Sequence, residues 1–266
     1  MPELPEVETV RRGLEPGLIG RVIVEARCTQ NPKFTSAPDV IGAAIETVGR
    51  RGKYLIIGFE DDREMIVHLG MTGVLNFGEG PSGPHERAAW RLDDDRWLIF
   101  TDVRQFGRVA VVDGGEYSSL PTLQALGPEP FDESLDAHVF WQALSGSKQR
   151  IKTRLLSQRP IAGVGNIYAD EACWLARINP ASRRITKAQA ADLLEAIRSV
   201  LAAGLTNGGT TLRDYRTVTG EQGANQHELK CYGRAGQECP RCGAELVSKV
   251  YDGRTTTWCR DCQPSH

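Results

Sequence analysis

The sequence lacks any apolar run of membrane-spanning length, any excess of one charge and any internal repeat. No stretch of the 266 residues approaches the roughly 18 apolar residues that a membrane helix needs. The acidic start of the chain has neither the basic nor the apolar region of a signal peptide. We therefore expect a soluble cytoplasmic protein that does not interact with a membrane.

The charge balance also lacks the signature of a uniformly basic protein. The chain has 32 basic and 34 acidic residues, a formal net charge of −2. If nucleic acid is the partner, basic side chains must therefore be concentrated on one face. The 40% of hydrophobic residues can form an ordinary core, and the length fits one large domain or two of typical size.

Cysteine is present, but its pattern argues against a disulfide framework. Disulfides are rare in a reducing compartment, so the seven cysteines are not expected to pair in this way. Four of them form two CxxC pairs separated by sixteen residues. This spacing suits a tetrahedral four-thiolate site and predicts one structural zinc, held by Cys239, Cys242, Cys259 and Cys262. The other three, Cys28, Cys173 and Cys231, are expected to be apolar packing residues.

The segment between the two CxxC pairs predicts a β-hairpin. Residues 247–251 and 255–259 have strand character, and Asp252-Gly253 between them is a favoured hairpin turn. Such a hairpin is too small to hold a core without the metal, so it would present a rigid tip to a partner. Arg254 lies near that tip, where it is either solvated or a phosphate ligand.

The periodicity of apolar residues divides the chain into two halves. Pro5 opens a helix with Val7, Val10 and Leu14 on one apolar stripe. Short strand-like runs separated by Gly, Pro and Asp fill residues 21–112 and predict a sandwich or barrel. A Pro-rich hinge at 127–130 precedes helical spacing at 139–141, 151–156, 167–175 and 193–201, interrupted by a Gly-rich turn at 161–166.

The first residues offer a nucleophile. Removal of Met1 would leave the secondary amine of Pro2 at the N-terminus, next to the carboxylate of Glu3. An α-amino group has a pKa of about 7.7–8.0, so part of it is unprotonated at neutral pH and able to form a Schiff base. On its own a Met-Pro start is common and mostly inert.

The chain contains eight motifs of interest, in this order: MPELPEVETVRRGL at 1–14, GKYL at 52–55, HLGM at 68–71, DVRQFG at 102–107, GVGNIYADE at 163–171, GGTTLRDY at 208–215, YGR at 232–234 and the zinc knuckles. Together and in this order they resemble bacterial formamidopyrimidine-DNA glycosylases over nearly the whole chain. The resemblance implies an α+β, multidomain fold with damaged double-stranded DNA in the cleft between the halves. The implied domains are an N-terminal β-sandwich with its helix (1–127), a helix-two-turn-helix domain (128–230) and a zinc finger with a β-hairpin (231–266).

The resemblance also implies an activity. The protein would be a bifunctional DNA glycosylase and AP lyase of base excision repair that removes formamidopyrimidines and 8-oxoguanine and then cleaves by β- and δ-elimination. Pro2 would be the nucleophile and Schiff-base former, Glu3 the general acid and Glu6 a supporting residue. The implied enzyme is a monomer associated with the bacterial nucleoid.

The remaining implied site residues contact DNA. Lys53 and Arg254, which belong to the catalytic set, and Asn166 would bind phosphate, and His68 and Lys152 would add to them. After the damaged base leaves the stack, three residues would fill the void, with Phe106 as the wedge and Arg104 facing the orphaned base. The full set of expected DNA-binding residues is His68, Met71, Arg104, Phe106, Lys152, Asn166 and Arg213, the last in a loop closing over the flipped base.

Three departures from the family pattern leave alternatives open. Residues 217–226 do not closely match, Gln105 replaces a commonly basic residue in the wedge loop, and residues 85–87 match only in part. A glycosylase of the endonuclease VIII type, which prefers oxidised pyrimidines, is one alternative. The other is a non-catalytic binder of damaged DNA, which would not need Pro2.

Overall fold

The computed structural model describes residues 1–81 and 83–264. The chain divides into two compact units, Met1–Gln124 with Asn207–Gln226, and Ala125–Thr206 with His227–His266. The first unit thus takes a segment from late in the chain. The boundaries expected at 127 and 230 stay a prediction.

The first unit begins with helix α1 (Leu4–Leu18), one residue earlier than Pro5. Pro5 suits this position because its missing N–H would have no helical partner there. The predicted apolar stripe is confirmed, since Val7, Val10 and Leu14 are all at most 2% exposed. Helix α1 packs on the strands through this face.

Eight strands form two four-stranded antiparallel sheets, with orders β1-β6-β7-β5 and β2-β3-β4-β8. Side chains alternate between core and solvent, as along β3, and both sheets contribute to one apolar core around Trp90, Phe34 and Phe100. The predicted β-sandwich is therefore confirmed. Its strands are β1 (Ile23–Cys28), β2 (Ile45–Arg51), β3 (Tyr54–Phe59), β4 (Arg63–His68), β5 (Val74–Gly78), β6 (Glu86–Leu92), β7 (Trp97–Thr101) and β8 (Arg108–Asp113).

Short elements complete this unit. A 3-10 helix (Ala37–Val40) follows β1, and helix α2 (Pro121–Gln124) ends the first stretch of the unit. The 207–226 segment contains the start of a second 3-10 helix (Asn225–His227). It is otherwise irregular, and backbone and side-chain hydrogen bonds hold it together.

Four helices form the body of the second unit: α3 (Ala137–Ser145), α4 (Ile151–Leu156), α5 (Asn166–Leu175) and α6 (Lys187–Thr206). They confirm the helical periodicity of this half. Every residue from Ile167 to Trp174 is buried, so α5 is the central helix, packed by α4, α6 and the hairpin. Among the described residues, no helix combines the length and apolar character that crossing a membrane requires.

The predicted hairpin is present. Strands β9 (Leu246–Tyr251) and β10 (Arg254–Cys259) pair antiparallel, each one residue longer than expected. Asp252 and Gly253 connect them with φ of 49° and 75°. Two successive positive φ angles are those of a type I′ turn, which matches the right-handed twist of the strands. Arg254 therefore begins β10 directly at the tip.

Candidate catalytic residues and nucleic-acid interface

Glu6 organises the start of the first unit. One carboxylate oxygen, Oε2, accepts the backbone N–H of Glu3 at 2.7 Å, and the other, Oε1, accepts that of Thr210 at 2.6 Å. Glu3 and Glu6 are 2% and 1% exposed, and Pro2 is buried beside them. A buried carboxylate that accepts two N–H groups is fixed in orientation. Glu6 therefore joins the first turn of α1 to the 207–226 segment.

The 207–226 segment approaches α1 closely. The Tyr215 hydroxyl donates to the carbonyl oxygens of Gly208 at 3.1 Å and Glu6 at 3.4 Å. Gly209 has φ of +87°, and a Cβ there would lie 3.0 Å from the Glu6 Cγ. Glycine is required at this position both by its φ and by the space. Arg213, the expected loop residue, is exposed on this segment.

Lys53 lies in the two-residue turn between β2 and β3, directly after Gly52, whose φ is +57°. Arg50 anchors this hairpin, since its Nη1 donates to the Gly52 carbonyl oxygen at 2.9 Å and its Nε pairs with Glu8 of α1 at 3.1 Å. Burial opposes ionisation of Glu8, but Arg12, Arg11 and Arg50 outweigh it and lower the Glu8 pKa. The lysine is thus held beside the first turns of α1.

His68 ends β4 close to Lys53. Its ring is stacked at a tilt on Tyr54, with the centroids 4.8 Å apart, and its Nδ1 accepts the Gly70 N–H at 3.3 Å. Burial, then the charges of Lys53 and Arg108, lowers the His68 pKa to about 4. The imidazole is therefore neutral at physiological pH. Since Nδ1 accepts, Nε2 carries the proton and can donate one hydrogen bond.

Residues 102–107, which we call the wedge loop, fold around the fully buried carboxylate of Asp102. Its Oδ1 accepts from the Thr72 hydroxyl at 2.5 Å and the Arg104 N–H at 3.2 Å, and its Oδ2 accepts the Gly107 N–H at 2.7 Å. Thr72 follows Met71, so Asp102 brings the β4–β5 loop and the wedge loop together. This joins the three expected void-filling residues in one place: Met71, Arg104 and Phe106.

The side chains on the wedge loop are available to a ligand. Phe106 is 50% exposed and Met71 is 37% exposed, so neither side chain is taken up by the apolar core. The Arg104 guanidinium lies over the Phe106 ring, 4.8 Å from its centroid. An exposed ring with a cation on one face suits insertion between bases.

Sequence analysis missed two residues that hold the wedge loop. Lys33 Nζ donates to the Gln105 carbonyl oxygen at 2.7 Å and lies 5.9 Å from the Phe106 ring centroid. Asn31 donates to the Gln105 side-chain oxygen at 2.9 Å. Gln105 has φ of 55°, a costly conformation that these contacts stabilise. Gln105 is uncharged, and Lys33 places a cation at the same loop.

In the second unit, four cysteines form the predicted metal site. All four Sγ atoms lie within 4.8 Å of one another. The residues are Cys239, Cys242, Cys259 and Cys262. Zn–S bonds of about 2.3 Å in a tetrahedron require S–S separations of ~3.8 Å, so this donor set fits zinc. Trp174 of α5 donates from Nε1 to the Cys239 Sγ at 3.4 Å, the kind of outer contact that orients a ligand.

The hairpin tip, residues 252–254, is tied to helix α4 on the side before Arg254. The Asp252 carboxylate accepts from the Thr153 hydroxyl at 2.5 Å and pairs with Arg150 at 3.3 Å. The Thr153 hydrogen bond and the Arg150 charge lower the Asp252 pKa despite a small opposing effect of burial. Arg254 itself is exposed.

A buried ion pair ties the hairpin on the other side of Arg254. Lys152 Nζ pairs with Asp170 Oδ1 at 2.7 Å and donates to the Thr255 carbonyl oxygen at 2.8 Å. Asp170 Oδ2 accepts the Thr257 N–H at 3.0 Å. Lys152 is 3% exposed, so the structure places its ammonium against the hairpin backbone. Its expected contact with phosphate stays a prediction.

Two acidic residues of α5 that sequence analysis did not select hold the zinc finger in place. Besides Asp170, Glu171 accepts the N–H groups of residues 230, 231 and 232 at 2.9, 2.8 and 2.7 Å. Two adjacent acids in a helix of apolar residues were the available signal, because charges are rarely buried without partners. Glu171 fixes the chain where it leads into the zinc finger.

Asn166 is the first residue of α5, preceded by the Gly-rich turn. Gln158 shapes that turn, since its Oε1 accepts the Gly163 N–H at 2.8 Å and its Nε2 donates to the Val164 carbonyl oxygen. Gly163 has φ of +83°, which permits this turn. Asn166 is half-buried, and its Oδ1 has no hydrogen-bond partner among the described residues. Asn166 lies at the N-terminal end of α5, where the helix dipole favours an anion.

The chain matches three family models in order. Residues 1–109 match the N-terminal domain of formamidopyrimidine-DNA glycosylase, residues 126–216 match its H2TH domain, and residues 236–264 match a zinc finger found in FPG and IleRS. The third match covers all four clustered cysteines, which hold one structural zinc.

Curated relatives are similar in sequence to this chain over its full length. The formamidopyrimidine-DNA glycosylase of Deinococcus radiodurans is 43% identical, with 99% of this chain and 98% of the relative covered. That of Thermus thermophilus is 42% identical at the same coverage. Neither match leaves a substantial part of either chain uncovered.

Solved structures show the same fold. A crystal structure of the MutM (Fpg) protein from Thermus thermophilus has a TM-score of 0.92 and 41% identity, with both chains covered completely. A Lactococcus lactis Fpg mutant in complex with Fapy-dG-containing DNA has a TM-score of 0.91 and 35% identity, with 99% of this chain and 100% of that chain covered. The Lactococcus lactis Fpg complex with abasic-site DNA has a TM-score of 0.89 and 34% identity, at the same coverage.

Proposed function

The chain belongs to the formamidopyrimidine-DNA glycosylase family and is a DNA glycosylase of base excision repair. We propose that it removes oxidised purines through a Schiff base on Pro2. Its preferred lesions are formamidopyrimidines and 8-oxoguanine. After excision it acts as an AP lyase, an activity typical of the family. Neither the pyrimidine-specific nor the non-catalytic alternative is favoured by a specific observation.

The observation that carries this proposal is the arrangement at the start of α1. The carboxylate of Glu6 holds the Glu3 backbone and the 207–226 segment together, which fixes the orientation of Pro2 and Glu3. A fixed amine next to a buried acid is what Schiff-base chemistry at a sugar requires. The amine becomes available when Met1 is removed.

The chemistry assigns each residue one task. The Pro2 nitrogen attacks C1′ of the damaged nucleoside, and the bond between C1′ and the base breaks with its electron pair leaving on the base. The proton of the attacking amine passes to the departing base. Glu3 protonates the sugar O4′ as the ring opens, so that C1′ and the Pro2 nitrogen form an iminium ion. Loss of the C2′ proton then expels the 3′ phosphate, a second elimination expels the 5′ phosphate, and water releases Pro2.

Phosphate binding is assigned to residues in both units. In the first unit Lys53 supplies a charge and neutral His68 one N–H donor. In the second unit Arg254 offers its forked guanidinium and Asn166 its side chain at the α5 N-terminus. Lys152 supports this group by holding the Thr255 backbone next to Arg254.

The wedge loop is assigned to the duplex rather than to the reaction. Phe106 stacks where the damaged base was, Arg104 faces the orphaned base and Met71 fills the remaining space. Together they offset part of the few kcal/mol that unstacking costs. Arg213, on the exposed part of the 207–226 segment, would cover the extruded base.

The partner is damaged double-stranded DNA. We assign the protein to the bacterial cytoplasm, associated with the nucleoid, and expect it to act as a monomer, since one chain carries every residue named above. Sedimentation of the protein with a lesion-containing duplex tests the monomeric state, because we expect one chain per duplex.

A panel of duplexes tests the function directly. Each carries one lesion opposite cytosine: formamidopyrimidine, 8-oxoguanine, thymine glycol or an abasic site. We expect the two purine lesions to be excised fastest, with phosphate at both ends of the resulting gap. Faster excision of thymine glycol would assign the protein to the endonuclease VIII type, and binding without excision of any base would make it a non-catalytic binder.

A further inference from the structure

A groove of about 1170 Å³ runs along the zinc hairpin in the second unit, and none of the roles above uses it. One wall is the segment after α5, residues 177–186, and the other is formed by Tyr251 and Trp258 of the hairpin with Arg260 just after it. Tyr251 is near the tip and Arg260 follows the other end of β10, so the groove extends over most of the hairpin.

Four arginines give this groove a single sign of charge. Arg177, Arg183, Arg184 and Arg260 are all exposed and line it, whereas the described lining includes no carboxylate. Arg183 donates to the Lys148 carbonyl oxygen at 2.9 Å, and its charge contributes to lowering the pKa of Asp252, which lies outside the groove lining. The other three guanidiniums form no hydrogen bond or ion pair within the described part of the chain. A lining with four arginines and no carboxylate favours an anionic ligand.

The groove also has an apolar floor. Ile178, Ile185 and Trp258 line it with exposed fractions of 4%, 9% and 9%. A ligand with both carboxylates and an apolar side chain would satisfy the rim and the floor together, which is the arrangement of a protein interface with a buried apolar centre and a polar edge.

The two aromatic residues argue against a single strand whose bases stack in the groove. Proteins that bind single strands stack bases on exposed rings. Trp258 is almost fully buried, and the Tyr251 ring already has Arg150 at 4.6 Å and Lys249 at 5.6 Å from its centroid. No lining aromatic therefore offers a free face to a base, whereas carboxylates need only the arginines.

We propose that this groove docks an acidic, partly apolar peptide segment of a partner protein. Its carboxylates pair with Arg177, Arg184 and Arg260, and an apolar side chain between them packs on Trp258 and Ile185. No residue assigned above to catalysis or phosphate binding lines the groove, so docking there would leave those side chains uncovered. It would bring the repair enzyme to another protein without changing its chemistry.

Fluorescence anisotropy tests the proposal on the zinc-loaded protein. The probe is a fluorescein-labelled octapeptide of alternating aspartate and leucine, and the comparison peptide replaces aspartate with lysine. We expect saturable binding of the acidic peptide alone, weakened at least about tenfold, or 1.4 kcal/mol, in the double variant Arg184→Gln/Arg260→Gln. Arg159→Gln, an exposed arginine of the same unit outside the groove, is the matched control and should bind like the parent.

Lesion excision and duplex binding are measured on the same variants. Unchanged excision with lost peptide binding supports a docking site separate from the catalytic one. Absence of peptide binding by the parent, or equal binding by the double variant, overturns the proposal. So does a loss of duplex affinity in the double variant, which would make the groove a nucleic-acid surface. Failure of the parent to excise any lesion contradicts the proposed function and leaves the peptide result to be judged on its own.

Discussion

The wedge loop and the hairpin tip present their key side chains by different means. The wedge loop, residues 102–107, has one buried carboxylate at its centre, and Asp102 satisfies donors on both sides of the loop. The hairpin tip, residues 252–254, has no such centre. A zinc site fixes the base of the hairpin, and ties from α4 and α5 fix the strands on either side of Arg254.

The difference follows from what each element can bury. The wedge loop lies on a sandwich with its own large apolar core, so local hydrogen bonds suffice. The zinc finger contributes a small apolar cluster that includes Cys239 and Cys259 themselves. Elements this small rarely fold without metal. The wedge loop should therefore be indifferent to zinc, and the hairpin tip should depend on it.

Removing a zinc ligand should have the largest effect. Cys239→Ser should release zinc and lower excision by about 100-fold or more, because structural zinc supplies many kcal/mol of folding free energy in such modules. Metal analysis and single-turnover excision measure this. The control is Cys28→Ser in the first unit, which should keep both zinc and activity. An active Cys239→Ser protein without zinc would contradict the account.

Acid should lower the free energy of unfolding through His68. The folded state holds the His68 pKa at about 4 against an ordinary 6.5, so between these values the unfolded chain binds the extra proton. The stabilisation is full above pH 6.5 and is lost as pH falls towards 4, by about 1.4 kcal/mol per pH unit and ~3 kcal/mol in all. Urea unfolding of the parent and His68→Gln should diverge over this range, the parent losing more stability. Parallel curves would exclude a buried neutral imidazole.

Two side chains of the wedge loop should separate into different roles. Arg104→Ala should reduce the preference for cytosine opposite the lesion by about 1–3 kcal/mol, because a donor-only guanidinium matches the acceptors of cytosine. Phe106→Ala should slow all substrates alike, since a stacked ring does not identify the base. Single-turnover rates on duplexes that differ only in the opposite base measure both. If Arg104→Ala kept the parent's preference for cytosine, Arg104 would not be the residue that reads the orphaned base.

The smallest effect is expected at Lys33. Its replacement by Ala removes one exposed hydrogen bond to Gln105 and one cation near Phe106, worth about 0.5–1.5 kcal/mol. Excision should slow a few-fold for all lesions while zinc content and the hairpin tip stay unchanged. Arg27→Ala, an exposed arginine on β1, is the control. Equal effects of both substitutions would show that Lys33 acts only as a general surface charge.

The features that sequence predicted are those encoded locally. The CxxC spacing identified the zinc ligands, and apolar periodicity located α1, α4 and the strands of the sandwich. The contacts that position the site residues were not accessible in this way, because they join residues far apart in the chain. Lys152 with Asp170, Asp102 with Thr72 and Glu6 with Thr210 become neighbours only in the folded structure.

The 207–226 segment is a second case of this limit. Residues 217–226 within it do not closely match the family pattern, and the segment's few regular elements gave no periodic signal. Its place in the first unit depends on Glu6, Gly209 and Tyr215, whose contacts are specific to the folded state. Sites defined by the spacing of residues along the chain could thus be predicted. The positioning of side chains by contacts between distant residues could not.

The central claim, a Schiff base on Pro2, is tested most directly by locating the covalent bond. The protein is incubated with a formamidopyrimidine duplex and borohydride, digested, and analysed by mass spectrometry, once with Met1 removed and once with Met1 retained through a preceding tag. The account predicts a reduced DNA adduct on the Pro2 nitrogen of the processed protein and no adduct or excision in the tagged one. An adduct on a lysine, or full excision by protein that retains Met1, would contradict it.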